Sequence, residues 1–316
     1  MIESKRSEYV DLSVLRPRPA PGGGDHPQDA EAVTGRVEVA GYGITTLDCS
    51  RRETLGFLCH HLMDANERVA VCEPSWPAIT ETILGAQGRY VDIGRHHDWS
   101  VRWSFMERVL EDGDVRLAVF SHPALPSGNG IEPLRLVEMT RRGCTVIIDD
   151  VAPEFGAPDV LSIATDAATH EGRLIVVGNP RDSTRTQVIS HRSFLQEFKR
   201  AHSVSHPSIE HSPIAPLHLP RHMRFEGEIA RRDAFCDKLR ALPGLAVMES
   251  QAPFFMVKPT HINPEALANA LITSGVNVCT SPHHTWRGYV AMALPAMSEE
   301  DKALGVLKAV LDMNGE

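Results

Sequence analysis

The sequence has no excess of basic charge. Asp and Glu number 41 against 32 Lys and Arg, a net charge of -9. A general nucleic-acid binder needs a basic face for phosphate contacts, so that class is set aside. No apolar run approaches ~18 residues, so no membrane span is read. The first ten residues, MIESKRSEYV, contain no apolar h-region. No secretory signal is read there, and a cytoplasmic protein is expected. The six cysteines are scattered without a CxxC pair, so buried thiols are expected rather than disulfides or zinc ligands. Among 16 histidines, no HxH pair and no HxxxH pair on a clear helix is read, and no metal is expected. Lysine is scarce: Lys5, Lys199, Lys238, Lys258, Lys302 and Lys308 are all there is.

What is present is ordinary globular composition, 42% hydrophobic and 23% charged, in a chain long enough for one large domain or a large and a small one. Residues 11–36 are rich in Pro and Gly and read as an extended arm rather than core. From RVEVAGYG onward, short apolar strands alternate with amphipathic helices. That pattern predicts a parallel sheet with helices on both faces. The strands RVAV, RLAVF and TVIID are nearly all apolar, as strands covered on both faces should be. Beyond Ser193 the alternation breaks, prolines interrupt at HSPIAPLHLP, and a small α+β domain follows. The expected organisation is an arm at 1–36, a large α/β domain at 37–210 and a small α+β domain at 211–316, with the boundary between 205 and 225.

Four segments in this order, AGYGITT, CEPSWPAI, FSHPALPSGNGIEPLRLVEMTRRGCTVIIDDVAPEF and YVAMALPAMSEED, make the chain similar to fold-type I pyridoxal-phosphate (PLP) enzymes. The resemblance is to the class I/II aminotransferases, in particular the histidinol-phosphate aminotransferase and threonine-phosphate decarboxylase branch, and it covers nearly the whole chain. It implies a homodimer and a cofactor site that can be checked residue by residue. Gly41, Tyr42, Gly43 and Ile44 would form a glycine turn before a helix, offering N–H groups to the cofactor phosphate. Trp76 would stack on the ring. Asp149, at the end of TVIID, would face the ring nitrogen and keep it protonated, with Phe155 six positions on. Its neighbour Asp150 leaves a solvated helix cap as the alternative reading of that carboxylate. Arg185 would reach the phosphate.

Other positions depart from the family pattern. The asparagine expected against the ring hydroxyl is Leu125, and the tyrosine expected after the aspartate is Ala152. The arginine that would grip a substrate carboxylate is Ala291, with Arg287 four residues earlier as a weak substitute. The Ser-x-Ser-Lys turn is replaced by GNPRDSTR: Gly178 and Pro180 stand for the hydroxyl residues, and Arg181 or Asp182 stands for the Schiff-base lysine. A Schiff base needs a neutral primary amine, which a guanidinium cannot supply. His122, in the HPALPSG loop, is an alternative base.

Ordinary transamination is therefore not expected. Three readings remain open. In the first, the protein binds or acts on a small amino acid or amino-acid phosphate with PLP held non-covalently. In the second, it is a non-catalytic subunit that pairs with an intact aminotransferase. In the third, it is a cofactor-independent enzyme that reuses the cleft.

Overall fold

The computed structural model describes residues 10–11, 36–75, 77–150, 173–178, 185–220, 226–280 and 286–313. In chain order the strands are β1 (Val10–Asp11), β2 (Arg36–Leu47), β3 (Arg68–Val71), β4 (Arg89–Asp92), β5 (Leu117–His122), β6 (Thr145–Asp150), β7 (Leu174–Gly178), β8 (Thr186–His191), β9 (Ala215–Pro220), β10 (Leu245–Val247), β11 (Phe254–Pro259), β12 (Val276–Asn277) and β13 (Val290–Ala293). The helices are α1 (Arg51–Leu62), α2 (Pro77–Gly85), α3 (Trp103–Glu111), α4 (Pro133–Arg141), α5 (Arg192–Ser205), α6 (Glu226–Arg240), α7 (Pro264–Thr273) and α8 (Glu300–Met313).

The chain divides into two compact units. The larger contains His26–Leu125 and Gly130–Met223. The smaller contains Met1–Asp25, Pro126–Asn129 and Arg224–Glu316. The larger unit is built on an eight-stranded sheet ordered β4-β3-β5-β6-β7-β8-β2-β9. Strands β4, β3, β5, β6 and β7 run parallel, and β8, β2 and β9 complete the sheet by antiparallel pairing. This is the α/β class expected from the alternating pattern. Strand β9 (Ala215–Pro220) pairs with β2 in this sheet, and the division at Met223/Arg224 falls within the 205–225 window.

The central strands are apolar throughout because side chains alternate between two covered faces. Ala118, Phe120, Val146, Ile148 and Val176 pack in one core with Met106 and Val109 of α3 and Leu136 and Val137 of α4. Their odd-numbered neighbours Leu117, Val119, Ile147, Ile175 and Val177 pack in another, with Leu55 and Leu58 of α1, Ile79 and Ile83 of α2, and Leu195 and Phe198 of α5. All six cysteines are free and buried.

The smaller unit has a three-stranded antiparallel sheet, β10-β11-β13, and the parallel pair β1–β12. Its core joins Phe235 and Leu239 of α6, Leu267 and Leu271 of α7, and Leu307 and Val310 of α8 to Phe255, Val257, Val290 and Met292 of the sheet. The loop Pro126–Asn129 belongs here: Gln251 N–H donates to Gly128 O at 2.8 Å. Gly128 takes φ +76, and a Cβ there would collide with Ser250 Oγ and lie 2.7 Å from Phe254 O. Of the arm expected over residues 1–36, only Val10, Asp11 and Arg36 fall within the described residues.

Candidate active site

In open α/β sheets, ligands bind beyond the carboxyl ends of the parallel strands. Here those ends bring Ser121 of β5, Asp149 of β6 and Val177 of β7 into register, with His122, Asp150 and Gly178 one position on. Side-chain alternation sends the two rows to opposite faces. Asp149 continues the face of Ile147, which is the α1 side. His122 and Asp150 continue the face of Phe120 and Ile148, which is the α3–α4 side.

Asp149 is fully buried, and its partner is the first residue of α1. Arg51 Nε lies 3.1 Å from Asp149 Oδ1, with side chains 17% and 0% exposed. Arg51 Nη1 also donates to Asp150 O at 3.4 Å. Neither Asp149 oxygen has an aligned hydrogen-bond partner, so the contact is ionic. Burial pushes the Asp149 carboxyl above its ordinary value, while Arg51, and after it the Ser121 hydroxyl, pulls the other way. Arg51 places a cation beside this buried carboxyl, which offsets part of the cost of burying it.

The expected phosphate turn is corrected by the structure. Gly41, Tyr42, Gly43 and Ile44 lie inside β2, which continues to Leu47 before α1 begins at Arg51. Tyr42, Gly43 and Ile44 pair with His191, Ser190 and Ile189 of β8, and Gly43 and Ile44 also face Pro216 and Ala215 of β9. Their backbone groups serve ladders on both sides. Gly41 sits at φ +78, where the register with β9 shifts between Glu38 and Gly43. A Cβ at Gly43 would stand 2.9 Å from Ile214 Cγ2. Both glycines are thus required by strand geometry. Tyr42 is buried, its hydroxyl has no partner among the described residues, and burial pushes its pKa up to about 12.

The helix that does follow the strand is α1, and its N-terminus is already occupied. Ser50 caps it in a capping box: Ser50 N–H and Oγ donate to Glu53 Oε2 at 2.9 and 2.6 Å, and Glu53 N–H returns to Ser50 Oγ at 3.3 Å. These bonds hold the Glu53 carboxyl below its ordinary value. The Ser50 N–H is thus engaged by the Glu53 carboxylate and the Glu53 N–H by the Ser50 hydroxyl. Arg185 is exposed and pairs with exposed Asp48 at 3.6 Å, a contact of little energetic weight.

Leu125 and Ala291 are buried apolar side chains. Arg287 is exposed in the turn before β13, in the smaller unit. His122 is buried, and its Nδ1 accepts the Ile131 N–H at 3.1 Å. Its ring lies on the α3–α4 face, opposite to the face of Asp149. Trp76, Ala152, Phe155, Pro180, Arg181 and Asp182 lie outside the described residues. The larger unit contains one lysine, Lys199. Its Nζ donates to Ser212 O at 2.9 Å and to His211 O at 3.5 Å.

Among the described residues the fit to PLP fails at two places: Asp149, which would face the ring nitrogen, already holds an arginine, and the larger unit's lysine, Lys199, is bonded to backbone carbonyls. Sequence reading missed Arg51 altogether. It missed the capping box as well, although Ser50-Arg51-Arg52-Glu53 carries the S-x-x-E signature. It also missed an HxxxH pair: α5 carries His202 and is capped by His206. His202 Nδ1 meets His211 Nε2 at 2.6 Å, and the rings stack among Phe57 and Phe198. Among the described residues, no group of three or more His, Cys, Asp or Glu side chains could hold a metal ion.

No family model and no curated protein matches the sequence. Solved structures do match in fold. A histidinol-phosphate aminotransferase from Clostridium acetobutylicum superposes with a TM-score of 0.67 at 14% identity, covering 87% of this chain and 85% of that one. The Sinorhizobium meliloti histidinol-phosphate aminotransferase in complex with pyridoxal-5'-phosphate gives 0.67 and 14%, over 85% and 77%. A decarboxylase from Sulfurospirillum multivorans gives 0.65 and 17%, over 84% and 81%. The chain has the fold-type I aminotransferase architecture, and at these identities the likeness is one of fold.

Proposed function

We propose that this chain is an aminotransferase-fold protein that does not transaminate and that binds its small-molecule ligand without a Schiff base. One observation carries the reading: the larger unit has a single lysine, and its amine is held by the carbonyls of Ser212 and His211. Arginine, at position 181 or 51, remains protonated and cannot replace it. The ligand class in this reading is a small amino acid or amino-acid phosphate. The protein works as a homodimer or as the non-catalytic partner of an intact aminotransferase. The surviving residues have defined tasks. Asp149 keeps a buried negative charge at the sheet's edge, and Arg51 neutralises it.

Borohydride reduction in the presence of PLP, followed by peptide mapping, tests this. No lysine should carry a stoichiometric pyridoxyl group, and amino-acid substrates should not be deaminated. A single lysine labelled in every chain would overturn the reading. Recovery of an intact aminotransferase with the purified chain would favour the partner-subunit form over the homodimer.

A further inference from the structure

We propose that Arg51 is the specificity determinant that shuts this site to pyridine-type ligands, its guanidinium filling the place beside Asp149 that a protonated ring nitrogen would need. The inference rests on the reading that no Schiff base forms here, and it adds the residue responsible for excluding even non-covalent binding.

The placement follows from the fold. Asp149 projects from β6 toward the α1 face, and Arg51, the first residue of α1, reaches it. Ser50 fixes the first turn through its capping box with Glu53, so the Arg51 backbone is anchored and its side chain is directed inward. Two contacts then tie the guanidinium down: Nε to Asp149 Oδ1 at 3.1 Å and Nη1 to Asp150 O at 3.4 Å. Both acceptors end the same strand, so the planar fork bridges consecutive residues of β6. A guanidinium and a protonated pyridine are both flat cations that present N–H to a carboxylate. They compete for one partner, and the tethered cation has the higher effective concentration.

If Arg51 is the occupant, removing it should leave a cavity with a buried carboxylate at one end, and a flat soluble cation should enter. Pyridoxine is a suitable probe. It has the protonatable ring but no aldehyde to react with surface lysines, and no phosphate to meet Glu53. Wild-type protein should show no change in Tm with millimolar pyridoxine. Arg51→Ala should have a lower Tm, and the same pyridoxine should raise it by about 2–5 °C. Arg51→Ala/Asp149→Asn should not respond. Should Arg51→Ala fail to fold, Arg51→Gln keeps the side-chain bulk and should give a smaller response of the same sign.

A pyridoxine response in wild-type protein as large as in the variants would overturn the proposal, as would no response in either single variant. Its failure leaves the borohydride result untouched. A labelled lysine would instead refute the parent reading whatever Arg51 does.

Discussion

The Tyr42 hydroxyl distinguishes a binding residue from a structural one. It is buried without a partner among the described residues, so it costs desolvation and returns nothing. Tyr42→Phe is therefore expected to leave stability unchanged or raise it by about 0.5–1 kcal/mol. Urea unfolding midpoints check this, and a marked loss would restore a polar role. His202 makes a second prediction. Burial, reinforced by His211 and His206, pulls its pKa from 6.5 to about 4. The unfolded chain accepts the proton near 6.5 and the folded chain only near 4. Stability is thus complete above pH 6.5 and drains away as pH falls through that window, by about 1–2 kcal/mol after solvent screening. Melting temperatures between pH 7 and pH 4 should fall less steeply in His202→Phe than in wild type. At this scale the sequence was half legible. Asp149, Leu125 and Ala291 were singled out through the family resemblance. Arg51 could not be, because its meeting with Asp149 joins positions 98 residues apart, and helix and strand bring them together only in three dimensions.

The elements were more legible than their ends. Apolar strands and amphipathic helices declared themselves by period, and the S-x-x-E box marks the start of α1. The error at Gly41–Ile44 came from treating glycine as the end of a strand. In β2, glycine allows the strand to continue: Gly41 adopts φ +78 where the register shifts, and His191 Nε2 would sit 2.8 Å from a Cβ there. Gly41→Ala should cost about 1–2 kcal/mol through the left-handed backbone and the crowding together. Chemical denaturation measures it. A turn that cradles phosphate would make the same substitution matter for ligand affinity instead of stability. Trp99 turns at φ +67, and α3 begins four residues later at Trp103.

For the whole molecule, alternation predicted a parallel sheet and a smaller α+β unit, and both are present. The antiparallel completion by β8, β2 and β9 was not predictable, since strand order depends on pairing between distant segments. Protection should follow that order. Amides of β5, β6 and β7, inside the sheet and buried on both faces, are expected to exchange most slowly. Those of the edge strand β4 should exchange faster by at least an order of magnitude. Hydrogen–deuterium exchange with peptide-level readout would show this, and uniform protection across the sheet would contradict it.

The position of β2 also matters while the protein is being made. Its neighbours in the finished sheet are β8 and β9, at residues 186–191 and 215–220, synthesised well after it. At synthesis rates of about 5–20 residues per second, the interval is on the order of ten seconds or more. Throughout that time the nascent chain carries an unmatched strand with both edges open. Chaperone capture and the choice between correct closure and aggregation would be decided in that interval.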